Sequence, residues 1–562
     1  MQESNSDEIA GRRAISLSSV WLGRYLASFS LPGLVVGAVL FSLSLAPSLL
    51  PRHYLVQGLL SGFAVACGYA IGVFLSWLAD YLELPRANTF FSNALKVVAG
   101  IGVLSLVSYF LWHSATWQNS VRGLMLMEPV ATTYPIRIVA IALAVGAFLS
   151  AAVRLVRDST RLVSKRLFSI LPRRLSNIVG ASLVAFLLIS VVNGVFARQS
   201  LKFADAFFLE LDEIIDEGIA QPSDPMSSGS LESLIPWDSI GRRGKEFIVG
   251  GPGKAELTEF SDRPARQPIR VYVGLRSKET VQERAELALQ ELKRVNAFSR
   301  SILVVAMPTG TGWLDPGAVD TLEFIHSGDT AIVSAQYSYL PSWLTLLVDP
   351  ELPRAAAVSL FDKVYAHWTT LPAQSRPRLY LHGLSLGALG SETSADLFSL
   401  FEDPIHGALW SGPPFPSATW REVTLGRNPE SPAWLPTFRD GAMLRFTAQE
   451  NTLDSTGQQW GRMRFVYLQY ASDPIVFFDT SLIFRRPPWL IGSRGPDVSP
   501  YLEWYPVVTF LQIAFDLPMA ISVPTGYGHN YAPGNYIESW IAVTGPAGWS
   551  TADTERLKAL FE

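Results

Sequence analysis

Five apolar runs, each long enough to cross a lipid bilayer, crowd into the first 200 residues. They occupy residues 31–50, 55–79, 94–113, 134–153 and 177–197. A helix rises only ~1.5 Å per residue, so a span takes ~20 mostly apolar residues. The first run reads "LPGLVVGAVLFSLSLAPSLL" and the fifth "NIVGASLVAFLLISVVNGVFA", and neither holds an ionisable side chain. So many runs in succession argue against core helices of a soluble protein. The long leader and the spans that follow the first run argue against a cleaved signal peptide.

Basic residues of short loops tend to stay in the cytoplasm. The leader holds Arg12, Arg13 and Arg24, and Arg86 and Lys96 follow the second run. The loop after the fourth run carries Arg154, Arg157, Arg161, Lys165, Arg166, Arg173 and Arg174. The alternate loops are poorer, with Arg52 in one and Arg122 and Arg137 in the other. This predicts a cytoplasmic N-terminus, five spans, and everything after about residue 198 outside. Arg24 lies in the middle of "SLSSVWLGRYLASF", which makes that stretch interfacial rather than spanning. Gly68 and Gly72 have the small-xxx-small spacing that lets two spans approach closely.

The remainder reads differently. Residues 198–219 place Phe203, Phe207, Phe208, Leu211, Ile214 and Ile215 at helical spacing with acids opposite, an amphipathic helix. "QPSDPMSSGS" then reads as linker. From about residue 268, strand-like runs such as "IRVYVGL", "SILVVAMP", "DTAIVSAQYSYL", "RLYLHG", "GALWSG", "AMLRFTA" and "RFVYLQYAS" alternate with helical ones. That alternation predicts a mostly parallel sheet covered by helices. The expected organisation is therefore a multi-pass α-helical membrane domain over 1–200, an amphipathic helix and linker over 201–267, and an α/β catalytic domain over 268–562.

Composition limits the chemistry. Charged residues are 17% of the chain, below the ~25% usual for soluble domains. The single cysteine, Cys67, leaves no intramolecular disulfide and no multi-cysteine metal site. A net charge of −4 and the lack of a basic, aromatic-interleaved patch give no case for nucleic acid. Neither Gly-x-x-x-x-Gly-Lys-Ser/Thr nor His-Glu-x-x-His occurs, and "GGPGK" has the wrong spacing for a phosphate loop. No cofactor and no metal is expected.

One stretch does carry chemistry. "RLYLHGLSLGALG" runs from an apolar strand through Gly383-Leu384-Ser385-Leu386-Gly387 into a helical pattern. A serine on such a turn presents its oxygen, and flanking glycines are required because the turn is tight. Serine needs a base, and the base needs a partner. Of the seven histidines, His53 and His113 belong to the membrane half, and His326 and His367 precede the serine. His382 adjoins the turn and His406 comes before any acid-bearing strand end. His529, in the glycine-rich "PTGYGHNYAPG", is the candidate base. Asp473 ends the strand "RFVYLQYAS" just before Pro474 and is the candidate acid, ahead of Asp454 and Asp479. Oxyanion donors are expected from the Leu386 amide and from Gly310 or Thr311 in "PTGTGW".

"PTGTGW", "GDTAIVSAQYSYLPSW", "GLSLG", "SDPI" and "GHNY" together resemble a bacterial α/β-hydrolase family with an N-terminal multi-pass membrane domain. The resemblance implies an α/β-hydrolase fold and a serine hydrolase triad of Ser385, Asp473 and His529, in the chain order of that fold. Thr309-Gly310 stands where many esterases have His-Gly. The expected activity is hydrolysis of an ester, with a small-molecule or lipid-like acyl substrate, on the extracytoplasmic face of a bacterial cell membrane. Acyl transfer or peptide cleavage would use the same residues. A non-enzymatic membrane scaffold with a degenerate hydrolase domain is the alternative of another class.

Overall fold

The computed structural model describes residues 28–85, 89–190, 212, 218–394, 403–455 and 457–562. The amphipathic stretch 198–219 lies almost wholly outside the described residues, as do Arg12, Arg13, Arg24 and Arg86. The membrane half begins with helices α1 (Leu31–Ser44), α2 (Tyr54–Tyr81), α3 (Thr89–Leu124), α4 (Pro135–Leu167) and α5 (Arg173–Ser190). Among the described residues, four helices are long and apolar enough to cross a membrane, α2 to α5.

The first apolar run departs from expectation. Only 14 of its residues are helical, and α1 ends at Ser44. Pro47 and Pro51 lack the amide that would continue the ladder. Residues 45–53 turn away instead, and Leu49 and Leu50 are fully buried in the same core as the sheet described below. The expected glycine contact forms, and its partner is a second glycine pair. A Cβ on Gly68 would lie 2.7 Å from the Cα of Gly37, and one on Gly72 the same distance from the Cα of Gly33. Backbone meets backbone along α1 and α2 because neither helix has a side chain at those positions.

The second half opens with α6 (Arg242–Val249) and α7 (Lys254–Ser261), followed by β1 (Ile269–Val273) and α8 (Val281–Arg294). Phe247 of α6 and Leu257 of α7 are buried in the core, so a glycine- and proline-rich segment read as linker carries packed helices. Next come β2 (Ile302–Met307), α9 (Pro316–Ile325), β3 (Thr330–Ala335), α10 (Ser342–Val348), α11 (Leu352–Thr370), β4 (Arg378–Leu384) and α12 (Leu386–Ser394). The chain continues through β5 (Gly407–Ser411), α13 (Ala418–Leu425), β6 (Leu444–Thr447), β7 (Arg464–Leu468), α14 (Pro474–Phe477), α15 (Val508–Asp516), α16 (Pro533–Thr544) and α17 (Thr551–Phe561).

The seven strands form one sheet in the order β1-β3-β2-β4-β5-β7-β6. Every neighbouring pair is parallel. The strands are buried almost throughout, as expected when helices cover both faces. β4 lies at the centre, and β7 rather than β6 lies next to β5. The carboxyl ends of β4 and β7 are thus separated by one strand, which sets the spacing of the site.

The two halves share an interior. Val121 and Met125, at the end of α3, are fully buried in the core of the sheet domain, beside Leu49 and Leu50. In return, α15 leaves the sheet domain and packs on α1 and α2. The Phe515 ring lies 5.6 Å from that of Phe63 on α2. Gln512 Nε2 donates to the Ala46 carbonyl at 2.9 Å. Arg52 Nε meets Asp516 Oδ1 at 2.9 Å with both side chains fully buried. Ser48 Oγ donates to Asp516 Oδ2 at 2.6 Å, and Arg52 Nη1 donates to Gln57 Oε1 at 2.9 Å.

Candidate active site

β4 ends at Leu384 and α12 starts at Leu386, so Ser385 alone makes the turn between strand and helix. Its φ is +58°, a left-handed conformation that costs a non-glycine residue about 1–3 kcal/mol. The surroundings hold it there. Its amide donates to the Ser411 carbonyl at 3.0 Å, and its carbonyl accepts from Leu389 at 3.2 Å. A Cβ on Gly383 would collide with the backbone of Gly387, and one on Gly387 with the Met307 carbonyl at the end of β2. The glycines are there because strand, turn and helix touch backbone to backbone.

Asp473 follows β7 and caps α14, with Oδ1 accepting the Ile475 amide at 2.8 Å. Its other oxygen, Oδ2, accepts from His529 Nδ1 at 2.6 Å and from Tyr531 Oη at 2.7 Å. The Asp473 side chain has no exposed surface. This leaves His529 Nε2 buried and, among the described residues, without a hydrogen-bond partner. Ser385 and His529 are linked through two consecutive residues. The Ser411 carbonyl holds the serine amide, and the next residue, Gly412, lies against the imidazole.

Gly412 is the contact that touches the imidazole. Its φ is +51°, and a Cβ there would lie 2.5 Å from His529 Cε1. We expect Gly412→Ala to displace the imidazole and lower turnover by about 10²-fold, the cost of a ~1 Å misplacement. The Asp473 loop and the sheet should stay intact, so circular dichroism of the variant should match wild type. Unchanged turnover would show that the imidazole does not need this position.

Leu386 opens α12, and the first amides of a helix have no acceptor within it. The other expected donor loop lies beside it, since a Cβ on Gly387 would also lie 3.0 Å from the Pro308 carbonyl. In that loop the Gly310 amide donates to Ser342 Oγ of α10 at 3.1 Å. The Thr311 amide has no acceptor among the described residues. Of the two expected donors, Thr311 is free as the loop stands, and Gly310 becomes free only if Ser342 moves.

The remaining histidines have other partners. His382 Nδ1 meets the Leu409 carbonyl at 2.8 Å, and burial lowers its imidazole to about 4. His406 Nδ1 accepts the Leu379 amide at 3.2 Å, and His326 Nε2 meets Thr544 Oγ1 at 2.9 Å. Asp479 caps the turn at Ser481, and the Asp454 side chain is 93% exposed. Neither carboxylate is hydrogen-bonded to His529.

A supporting group escaped the reading of the sequence. Asp497 Oδ2 accepts from Ser472 Oγ at 2.6 Å and from Gln449 Nε2 at 2.7 Å. Ser472 Oγ in turn accepts the Gly528 amide at 2.9 Å. One hydroxyl therefore ties together the residues just before Asp473 and His529. Burial raises the Asp497 carboxyl above the usual range. The signal was the serine in "SDPI"; its partner, 25 residues further on, carries no motif.

A central parallel sheet with a strained serine between strand and helix, and a late histidine bonded to an aspartate at another strand's end, defines an α/β-hydrolase. A sequence profile described as "Alpha/beta-hydrolase family" matches residues 269–557, and one described as "Alpha/beta-hydrolase family N-terminus" matches 45–252. The first spans more than half the chain, which belongs to this α/β-hydrolase family. No curated protein matches it. Membership supports a hydrolase-type function.

Proposed function

We propose that the protein is a membrane-embedded serine hydrolase that cleaves a lipid-like ester through an acyl-enzyme, outside the cytoplasm of a bacterial cell. The observation that carries this reading is the 2.6 Å contact of His529 Nδ1 with buried Asp473, on the loop against Gly412 and the strained Ser385 turn. His529 Nε2 takes the proton of Ser385 Oγ as that oxygen bonds to the ester carbon. Asp473 orients the ring and stabilises the imidazolium. The carbonyl oxygen, now negative, is met by the Leu386 amide and by a second amide of the 309–313 loop, Thr311 or Gly310. The imidazolium gives its proton to the departing alcohol. Water, deprotonated by His529, then attacks the acyl-enzyme and frees Ser385. A fluorophosphonate probe tests the reading. Covalent labelling of the wild type that is lost in Ser385→Ala is expected, and labelling that persists elsewhere or never occurs would refute it.

Acyl transfer is the second reading. Ser385 and His529 are 3% and 8% exposed, and a site so enclosed shields an acyl-enzyme from bulk water.

The orientation rests on which ends of the helices meet the sheet domain. The 45–53 segment and the end of α3 pack against it, whereas the Arg154–Arg174 cluster lies at the opposite end of α4 and α5. With basic loops inside, the sheet domain lies outside. Leu231 is 92% exposed, and a cysteine placed there in a Cys67→Ser background should react with a membrane-impermeant maleimide on intact cells. Reaction only after lysis would reverse the orientation.

A further inference from the structure

α15 is the only apolar helix that the sheet domain lends to the membrane half among the described residues, and it is joined to the triad loops by a row of rings. Phe510 of α15 lies 5.4 Å from Phe478, and Phe478 lies 4.9 Å from Phe415. Phe478 follows α14, the helix that Asp473 caps. Phe415 stands three residues beyond Gly412, which touches the imidazole, and its amide donates to the Ile475 carbonyl of α14 at 3.0 Å. All three rings are only half-buried. Their neighbour Phe477 is buried in the core, whereas Phe478 and Phe510 pack against that core with only part of their surface. Further along α15, Phe515 packs on Phe63 of α2, a residue 39% exposed.

We propose that Phe415, Phe478 and Phe510 form an acyl-chain track. It would let a long-chain lipid ester reach Ser385 laterally from the leaflet, its chain lying on the rings and its carbonyl at the elbow. Apolar rings left half-exposed beside a buried polar triad are suited to an apolar ligand with one polar end. Because Phe510 stands on α15, the helix that packs on α1 and α2, the occupant is a membrane lipid's acyl chain rather than a soluble apolar molecule. The inference rests on the serine hydrolase reading for the position of the ester, though not for the occupancy of the track.

The test uses the full chain in phospholipid nanodiscs doped with a phospholipid that carries a diazirine near the end of one acyl chain. After irradiation, adducts are expected in peptides containing Phe415 and Phe478, in wild type and in Ser385→Ala alike. Adducts confined to α1–α5 and α15 would overturn the track, because Phe415 and Phe478 would then be ordinary packing. A kinetic arm compares hexadecanoate with butyrate esters. In Phe478→Ala the ratio of kcat/KM, long over short, should fall about tenfold, the scale on which apolar pockets discriminate chain length. Phe478→Leu should restore most of the ratio. A ratio equal to wild type in a folded Phe478→Ala protein would overturn the proposal. Ester turnover with adducts stopping at α15 would leave the hydrolase reading standing without the track. Adducts at Phe415 without Ser385-dependent turnover would do the reverse.

Discussion

Ser385→Ala should lower ester turnover by about 10⁴-fold or more while leaving the fold in place. Triad members act as a unit, so losing the nucleophile removes nearly all that serine and histidine contribute. The substitution deletes one oxygen from a side chain that is 3% exposed, and the Ser385 side chain is not required for the amide and carbonyl bonds that hold the turn. The alanine keeps the same left-handed φ, so strain is unchanged and stability should stay within about 1 kcal/mol. Turnover measured beside thermal unfolding checks both halves. A variant that retains a tenth or more of wild-type turnover would mean that the acyl group never bonds to Ser385.

The second large effect lies away from the nucleophile, at a charge pair whose members are 464 residues apart. Arg52→Ala or Asp516→Ala should destabilise the protein by about 3–5 kcal/mol, since each leaves the other charge buried without its partner. Both side chains have no exposed surface, and the pair joins the 45–53 segment to the end of α15. Ser48, Gln57 and Gln118 extend the network, the last accepting the Arg52 amide at 2.8 Å. The loop after α15 carries His529, whose amide donates to the Ala520 carbonyl at 2.8 Å, and Leu50 Cδ2 lies where a Cβ on Gly528 would come within 3.3 Å. Loosening the joint should therefore lower turnover as well as stability. The double variant Arg52→Met, Asp516→Leu removes both charges and should recover most of the lost stability, because well-packed apolar residues often replace a buried pair at little cost. Thermal unfolding of the full chain in detergent or nanodiscs measures all three. Single variants within about 1 kcal/mol of wild type would show that the joint does not depend on the pair.

Much was legible from local pattern. Apolar runs located α2 to α5, because a span is defined by its own length and composition. Alternation of strand and helix located the seven-stranded sheet, and the glycines around Ser385 marked the elbow, since a turn so tight admits no side chain at either place. The histidines at 326 and 406 were set aside from chain order and His382 because it adjoins the turn, and each has a partner elsewhere in the sheet domain.

Packing between distant segments without a motif was not legible. The segment 45–53 reads as the end of a span because its residues are apolar. It serves instead as core of the sheet domain, since Leu49 and Leu50 find a better-packed surface there than in lipid. The apolar run of α15 carries no motif, and only its seat on α1 and α2 shows what covers it. Arg52 and Asp516 are 464 residues apart, and Ser472 and Gly528 are 56 apart. Periodicity and spacing report the faces of one element. Which faces meet is decided by the burial of the whole chain at once, and that decision put a membrane loop beneath the histidine.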